Sequence, residues 1–460
     1  MPAASLPARS RTRRRGGLGG GVRGPGRAVV LGFASAAAVG TGLLSLPIAT
    51  ASGERAPLTD ALFTAVSAVC VTGLVTVDTG TFWSVTGQVV VLALIQTGGL
   101  GFMTLASLLA LLVSRRLGLR ARLLAQTETK TLSAGDVRRV VWRIVVFSLA
   151  CEAVLALVLT VRFATAYAFG WRQAAWYGVF HAISAFNNAG FGLHADSLVR
   201  YVSDAVVCLP IAAAVIIGGL GFPVVFELAR SWRRPRSWSV LTRVTVIVTV
   251  ALLVLGTLAY ALLERTNPAT LGGERPGGAL LTAFFSSAMA RTAGFNSLDI
   301  AALRPETLFA TDVLMFIGGG SAGTAGGIKV TTFGVLAYVL WAEVRGDTDV
   351  EVGRRRVPAT NQRQALAVAL LGVGLVTSST LALLVISHED FGDVLFEAVS
   401  AFATVGLSTG ITASLPEPAH LVLVALMFLG RVGPLSLASA LALRERGRRH
   451  SLPEERTIVG

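Results

Sequence analysis

The 460-residue sequence has little charge, since only 14% of its residues are Asp, Glu, Lys or Arg and 53% are hydrophobic. Soluble domains have about 25% charged residues, so this composition excludes an ordinary soluble domain and predicts a polytopic membrane protein. The net charge of +14 does not indicate nucleic-acid binding. Its basic residues lie between apolar segments, where the positive-inside rule accounts for them.

Residue types that build metal and catalytic sites are scarce and dispersed. The three cysteines, Cys70, Cys151 and Cys208, lie in apolar segments without metal-ligand spacing, which is typical of inert buried thiols. The five histidines are scattered and form no H-E-x-x-H motif, so an enzyme is not expected. A P-loop and a dinucleotide fingerprint are also missing. No cofactor is therefore predicted for this chain, and control by a nucleotide would come from another chain.

Apolar segments are abundant, and they recur in four rounds of span, half-span and span. In each round a phenylalanine lies ten residues before a glycine, and a glycine cluster begins 24 to 28 residues after that glycine. Self-similarity at a fixed period indicates an internal repeat. The phenylalanine, the glycine and the start of the cluster are Phe63, Gly73 and Gly98; Phe180, Gly190 and Gly218; Phe284, Gly294 and Gly318; and Phe396, Gly406 and Gly430.

The half-spans are shorter than the roughly 20 apolar residues that a transmembrane helix needs. They are predicted at Leu58 to Val69, Ala174 to Phe186, Ala279 to Ala290 and Val394 to Phe402. The full spans are predicted at about Val29 to Ala49, Val85 to Arg116, Val137 to Ala168, Asp204 to Leu228, Val240 to Leu263, Ala365 to Ile386 and Leu421 to Leu443, with one broken span in round three.

We therefore predict an all-α polytopic membrane protein of four span–pore helix–span repeats with fourfold pseudosymmetry around one central pore. Basic loops between the rounds place both termini in the cytoplasm, so the half-spans enter from outside the cell. No signal-peptide cleavage site is evident, and the first span is expected to be uncleaved. The predicted units are a basic cytoplasmic arm (1–27), repeat one (28–116), repeat two with its preceding cytoplasmic loop (117–232), repeat three (233–345), repeat four (346–445) and a cytoplasmic tail (446–460).

The broken span has six glycines in ten residues, from Gly318 to Gly327. Each glycine costs about 1 kcal/mol relative to alanine in a helix interior, so the helix is expected to break there. Irregular backbone is tolerated in lipid only where it faces water or protein, which favours an ion path. Such a backbone also suits a movable barrier. Close packing of small residues is the alternative interpretation.

The half-spans bring four helix C-termini, each with partial negative charge, toward the middle of the membrane, where they favour a cation. Glycine then allows the chain to turn with its carbonyls inward, as in potassium filters. For any single glycine, a tight turn alone is the better explanation. Because four glycines lie at the same distance after the phenylalanine of their round, the interpretation as a potassium filter is favoured.

The segments SAVCVTGL, SAFNNAGF, AMARTAGFN and SAFATVGLSTG, with GGGSAGTAGGIK, resemble the Trk/Ktr/HKT superfamily of cation-translocating membrane subunits. Without an extra N-terminal pair of spans, the sequence is most similar to the Ktr type. The resemblance implies a potassium filter of backbone carbonyls, since all four key positions are glycine, and stimulation by Na⁺. The implied filter residues are Cys70, Val71, Thr72, Gly73, Asn187, Asn188, Ala189, Gly190, Arg291, Thr292, Ala293, Gly294, Ala403, Thr404, Val405 and Gly406.

The resemblance also implies that the glycine-rich break is a gate below the filter. Arg431 lies in mid-span, where an unpaired charge costs at least about 2.5 kcal/mol. We expect it to contact carbonyls of this gate and oppose cations, with a salt bridge to Glu397 as the alternative. Lys329 is expected either to bind carbonyls or to extend to the cytoplasm. The implied gate residues are Gly318, Gly319, Gly320, Ser321, Ala322, Gly323, Thr324, Ala325, Gly326, Gly327, Lys329 and Arg431.

Other polar residues are expected to support the filter. The Arg291 side chain should point away from the axis and hold the filter backbone. Glu152 and Glu397 should brace the filter or cap helix amides, with attraction of cations as the alternative. His181 and the Asn187-Asn188 pair should form hydrogen bonds that support the filter.

The partners implied by the resemblance are a lipid bilayer, a second copy of the chain in a homodimer, and a cytoplasmic ring of KtrA-type regulators that bind ATP, ADP or NAD(H). The expected location is the plasma membrane. A less selective Na⁺/K⁺ channel and a secondary cation symporter are the alternatives. The symporter would need inverted repeats and paired intramembrane carboxylates, whereas the repeats are parallel.

Overall fold

The computed structural model describes residues 25–122, 134–353 and 355–443. The predicted tail and the predicted arm before residue 25 lie outside these residues. Regular secondary structure in the described residues is helical, apart from the two-residue strands β1 (Glu351–Val352) and β2 (Arg355–Arg356), which pair antiparallel. The α-helices are α1 (Pro25–Leu44), α2 (Leu58–Cys70), α3 (Val85–Arg122), α4 (Ala134–Ala166), α5 (Trp171–Phe186), α6 (Ala205–Leu220), α7 (Phe222–Ser231), α8 (Val240–Leu263), α9 (Pro276–Met289), α10 (Pro305–Phe316), α11 (Val330–Arg345), α12 (Ala359–Ser387), α13 (Phe391–Ala403) and α14 (Glu417–Leu443).

The described chain contains long apolar helices, as expected for a polytopic membrane protein. Among the described residues, three helices are long and apolar enough to cross a bilayer: residues 138–166 of α4, all of α8 and all of α12. Only 22% of the most apolar window of α8, and of α12, is buried inside the protein. Apolar side chains such as Leu262 and Val385 instead face outward, as expected for helices in contact with lipid. By the same criteria α6 and α7 form a fourth crossing only if they are counted together.

The prediction of one continuous span from Asp204 to Leu228 was wrong. Helix α6 ends at Leu220, α7 begins at Phe222, and the two axes differ by 104°. The break is at Gly221, whose φ of +89° favours glycine. A Cβ atom there would lie 2.3 Å from the carbonyl oxygen of Ser321, so the close approach of another segment also requires glycine.

The four predicted half-spans are present as the short helices α2, α5, α9 and α13. They begin at the predicted residue or up to three residues before it, and they end within one residue of the predicted end. Most of their side chains are buried; the fully buried Phe63 and Phe396 pack in one part of the core, and Phe180 packs in another. In the third round Phe285 is buried instead, while Phe284 is half-buried.

The glycine-rich break also forms as the sequence predicted. Helix α10 ends at Phe316 and α11 begins at Val330, and residues between them have no regular helix. Gly318 donates its amide to the carbonyl of Ile328 at 2.9 Å, and Val330 donates to that of Gly319 at 3.0 Å. These bonds close the base of a loop, and residues 318–327 are called the glycine loop below.

Candidate functional site

The turns that follow the four short helices contact one another in a closed cycle. These four turn segments are residues 70–73, 187–190, 291–294 and 403–406. In each, a Cβ atom added to the last glycine would collide with a carbonyl oxygen of the next segment. The glycines, the carbonyl residues and the Cβ-to-oxygen distances are Gly73 and Ala189 (2.4 Å), Gly190 and Ala293 (2.8 Å), Gly294 and Val405 (2.2 Å), and Gly406 and Thr72 (2.1 Å). Each turn segment thus meets the next main chain to main chain, at a distance that only glycine permits.

Each turn segment contains two residues with left-handed backbone, separated by one residue whose φ is negative. The left-handed residues and their φ angles are Val71 (57°) and Gly73 (92°), Asn188 (58°) and Gly190 (71°), Thr292 (77°) and Gly294 (72°), and Thr404 (50°) and Gly406 (94°). Alternation of left- and right-handed backbone aligns successive peptide dipoles. A non-glycine residue with positive φ is uncommon, so four at one position indicate a backbone that the surrounding structure enforces.

Amide groups of the turn segments point back toward their own short helices. Thr72, Ala189 and Val405 donate to the carbonyls of Ser67, Ser184 and Ser400 at 2.8, 2.8 and 2.9 Å. A trans peptide holds its N–H and C=O on opposite sides. The carbonyls of the preceding residues therefore face away from the helices, toward the other segments.

Serine hydroxyls add a second support at two of these turns. Gly73 donates its amide to Ser67 Oγ, and Gly406 donates to Ser400 Oγ, each at 3.1 Å. Sequence reasoning missed these serines. The signal was present, because a serine lies six residues before the turn glycine in rounds one, two and four.

Arg291 departs from its predicted role. Its buried guanidinium does point away from the turn, but it does not hold the backbone of a turn segment. Nη1 donates to the carbonyl of Thr249 in α8 and Nη2 to that of Gly318, both at 3.3 Å. The third turn segment is thus tied to a neighbouring helix and to the first residue of the glycine loop.

Glu152 braces the second turn segment through a buried hydrogen-bond network. Asn187 donates from Nδ2 to Glu152 Oε1 at 3.1 Å and to Gln96 Oε1 at 2.9 Å. Gln96 in turn donates from Nε2 to both oxygens of Glu152 at 3.1 Å. The predicted bracing role of Glu152 fits this geometry, whereas Gln96 was overlooked because a lone glutamine carries no recognisable spacing.

The remaining candidates lie further from the turn cycle. His181 Nδ1 bonds to the carbonyl of Tyr177 in its own helix at 2.8 Å, and its Nε2 has no hydrogen-bond partner among the residues that the structure describes, so the expected filter-supporting hydrogen bond is not observed there. Glu397 accepts hydrogen bonds from Ser408 and from Thr412, the latter at 3.0 Å, and thereby holds the chain that follows the fourth turn.

The glycine loop lies against three of the turn segments. Thr324 donates from Oγ1 to Asn188 Oδ1 at 2.8 Å, and both side chains are buried. A Cβ atom on Gly318 would lie 3.3 Å from Thr292 Cγ2. A Cβ atom on Gly326 would lie 1.8 Å from Thr404 Oγ1, so this part of the loop also needs glycine.

The other side of the glycine loop docks on the break between α6 and α7. Gly320 donates its amide to the carbonyl of Gly219 at 2.7 Å, and Thr324 donates to that of Gly218 at 3.1 Å. Carbonyls freed at the break therefore accept from amides of the loop. The two interrupted helices satisfy each other's main-chain groups, as irregular backbone inside a membrane requires.

Arg431 and Lys329 both donate to carbonyls of the glycine loop. Arg431, which is 1% exposed, donates from Nη1 to Thr324. Lys329 donates from Nζ to Ala325, and to Gly326 at 3.5 Å. The expected contact between Arg431 and the loop is present, and of the two alternatives for Lys329 the carbonyl one is observed. In the part of the chain that the structure describes, no three His, Cys, Asp or Glu side chains are grouped to hold a metal ion.

Comparison with known proteins gives consistent matches across the chain. The TrkH family, described as cation transport proteins, matches residues 37–448. The Ktr system potassium uptake protein B of Vibrio alginolyticus is 40% identical over 438 residues, covering 95% of each chain. The potassium/sodium uptake protein NtpJ of Enterococcus hirae is 34% identical over 450 residues, covering 95% of this chain and 97% of its own.

A solved structure shares the fold. The crystal structure of the potassium transporter TrkH from Vibrio parahaemolyticus superposes with a TM-score of 0.69 at 19% identity, and covers 89% of this chain and 83% of that chain. The chain therefore belongs to the TrkH family of cation transport proteins.

Proposed function

We propose that this chain takes up potassium ions across the plasma membrane through a channel-like pore encircled by the four turn segments. The observation that carries the proposal is the closed cycle of main-chain contacts from Gly73 through Gly190 and Gly294 to Gly406. Carbonyls turned away from four supporting helices can replace the hydration shell of a monovalent cation. Similarity to a potassium uptake protein supports the choice of ion.

Four quasi-equivalent repeats in one chain explain why the cycle closes without a second subunit. Each repeat supplies a span, a short helix that ends at the turn, and a second span with a glycine cluster. The C-terminal ends of α2, α5, α9 and α13 add partial negative charge at the site. A cation is therefore favoured there before any side chain contributes.

The glycine loop serves as the gate in this proposal. It contacts the turn segments through Thr324 and Gly326, and it lacks the regular helix bonds that would make movement costly. Arg431 holds the loop through Thr324 and places a positive charge beneath the ion path. Movement of the loop away from the turn segments would both clear the path and shift this contact.

Control of the gate is assigned to partners. The similar protein from Vibrio alginolyticus is named as one component of a Ktr system. We propose that the present chain forms a homodimer, with both termini cytoplasmic, on a ring of KtrA-type regulators that bind ATP, ADP or NAD(H). Stimulation by Na⁺ is part of the same proposal.

The test is flux of single cations into proteoliposomes that contain the purified chain. We expect Rb⁺ uptake that K⁺ competes with strongly and Na⁺ weakly, and a change in rate when a regulator ring is added. Equal competition by Na⁺ would instead establish a less selective Na⁺/K⁺ channel, the second candidate that similarity to a potassium/sodium uptake protein favours. Uptake that requires a second ion gradient would establish a symporter and overturn the channel-like pore.

A further inference from the structure

A cavity of about 330 Å³ lies away from the turn segments, between the segment that precedes α8 and the β1–β2 hairpin. Three arginines line it, Arg236, Arg243 and Arg355, and none of the lining residues that the structure describes is acidic. We call this cavity the arginine pocket. Three like charges around one space repel each other unless an anion joins them.

Carboxylates near the arginine pocket form their hydrogen bonds and salt bridges with other groups, although Glu227 is close enough to Arg355 to attract its charge. Glu227 accepts from the amide and hydroxyl of Ser239 at 2.6 Å each and from Thr242 Oγ1 at 2.5 Å. Asp349 pairs with Arg356 at 2.8 Å. Neither Arg236 nor Arg355 forms a salt bridge with any residue that the structure describes.

Arg243 is held in a fixed place at the pocket. Its Nη2 donates to the carbonyl of Pro235 at 3.3 Å. A Cβ atom on Gly353, whose φ is +67°, would lie 1.7 Å from Arg243 Nη1, so the hairpin lacks a side chain where the guanidinium lies. A fixed, planar guanidinium can bind two oxygens of a phosphate at once, with little loss of side-chain entropy.

The position of the pocket relative to the membrane identifies the kind of anion. Helix α8 begins at Val240 and is one of the apolar helices long enough to span, so its first residue marks one edge of the apolar region. Val240 and Trp238 also line the pocket, and the exposed Trp232 lies in the same connecting segment. Tryptophan is enriched at the level of lipid headgroups, and basic pockets there bind anionic headgroups.

We propose that the arginine pocket binds the phosphate group of an anionic phospholipid, with Arg236, Arg243 and Arg355 as the ligands. The apolar wall of Val240 and Val352 would lie against the glycerol backbone and the start of the acyl chains. This site is distinct from the proposed ion path, since no turn-segment residue is among those that line the pocket, and binding can be measured without flux.

The experiment is native mass spectrometry of the full chain in a neutral detergent, titrated with phosphatidylglycerol. Removal of one basic residue near a membrane surface costs about 1 kcal/mol, or roughly fivefold in affinity. We therefore expect roughly fivefold weaker binding in Arg236→Gln and in Arg355→Gln, and about 30-fold weaker binding in the double variant. Lysine at both positions should restore most of the affinity.

Arg234→Gln is the matched control, because Arg234 is an exposed arginine of the same segment that does not line the pocket. It should bind phosphatidylglycerol as the unmodified chain does. Unchanged melting temperatures in phosphatidylcholine would show that the variants are folded.

Two further arms separate the sources of phosphate. Inorganic phosphate and glycerol 3-phosphate should compete weakly if the acyl chains matter; strong competition would assign the pocket to soluble phosphate compounds, with the same arginines as ligands. If the double variant binds phosphatidylglycerol as tightly as the unmodified chain, the proposal is overturned. It is also overturned if the pocket binds neither kind of phosphate and only an acidic protein segment protects it.

Discussion

The third turn segment and the other three have the same backbone conformation but different support. In rounds one, two and four, the first glycine of the cluster in the second span packs on the short helix four residues before the turn glycine. Gly98, Gly218 and Gly430 would place a Cβ atom 2.0, 2.1 and 1.8 Å from the carbonyl oxygens of Val69, Phe186 and Phe402. In round three Gly318 meets the carbonyl of Gly326 instead, at 2.2 Å.

The hydrogen bond from the backbone amide of each turn segment to its short helix also differs in the third round. Segments one, two and four have serine six residues before the turn glycine, whereas the third has Ala288. Ala293 donates to the carbonyl of Met289 at 3.0 Å, one residue nearer than in the other three segments. Arg291 then supplies the missing connection to the second span by donating to Gly318.

This difference shows how a chain can keep four similar turns while giving one repeat another task. The glycine loop occupies the place where a regular second span would pack on α9. The left-handed backbone of the turn is nevertheless kept, and Arg291 bonds to Gly318 where the packing differs. In terms of the proposed function, all four repeats form the filter and the third repeat also carries the gate.

The largest effect should come from disrupting the close contact between neighbouring turn segments, which all four segments share. Gly73→Ser adds a side chain at left-handed φ, roughly 1–2 kcal/mol, and forces a close contact with Ala189, roughly 1–3 kcal/mol, so K⁺ flux should fall by at least about 30-fold. Na⁺ flux should fall less, because a distorted ring loses ligands for the larger ion first. Competition between Rb⁺ and Na⁺ uptake in proteoliposomes measures both.

Gly410→Ser is the control for Gly73→Ser. Gly410 has a φ of +101°, but a Cβ atom there would have no neighbour within 4 Å. This variant has the same conformational strain without the collision and should keep its ion selectivity. If the two variants behave alike, the close contact within the cycle has no part in selectivity.

A smaller but still large effect should come from removing what only the third repeat has. Deletion of Gly320 to Gly326 removes the contacts to Asn188 and to Thr404 and shortens the loop that we propose as the gate. We expect basal Rb⁺ flux to rise about tenfold or more, equivalent to at least about 1.4 kcal/mol off the barrier. A variant that stays folded by size-exclusion chromatography but conducts less than the unmodified chain would contradict the gate.

Much of this comparison was visible in the sequence, and the reason is periodicity. The repeat of phenylalanine, glycine and glycine cluster located the short helices to within a few residues, because a half-length apolar segment has few structural alternatives in a membrane. The break at Gly318 to Gly327 followed from helix propensity alone. Such properties belong to single segments and need no knowledge of their neighbours.

Contacts between segments that are far apart in the chain were harder to predict from the sequence. The bend at Gly221 depends on the approach of Ser321, a hundred residues later in the chain. The Arg291 side chain donates to the carbonyls of Thr249 and Gly318 and not to those of its own turn segment. A charge in an apolar segment predicts that a partner exists, but the partner is decided by packing that one sequence does not reveal.

Loss of the serine support should have a moderate effect that depends on the repeat. Ser67→Ala removes the hydroxyl that accepts from Gly73 and donates to the carbonyl of Leu74 at 2.7 Å. A buried amide left without its partner costs about 1–3 kcal/mol, so the K⁺/Na⁺ flux ratio should fall about five- to tenfold.

Ser184→Ala is the matched variant in round two, where the hydroxyl makes no hydrogen bond with any residue that the structure describes. We expect no change in its flux ratio. Equal losses in both variants would mean that the serines act through packing, and the distinction between supported and unsupported turns would be lost.

The smallest effect should come from loosening the contact between the loop and the second turn segment. Thr324→Val keeps the shape of the side chain but removes the hydrogen bond to Asn188, which is worth roughly 0.5–1 kcal/mol net, so basal Rb⁺ flux should rise about two- to fivefold. Ser321→Ala is the control, because Ser321 bonds at 2.8 Å to Thr331 in α11 and not to a turn segment. If Ser321→Ala raises basal flux as much as Thr324→Val does, the loop responds to any loosening, and its contact with the second turn segment has no special part in holding it closed.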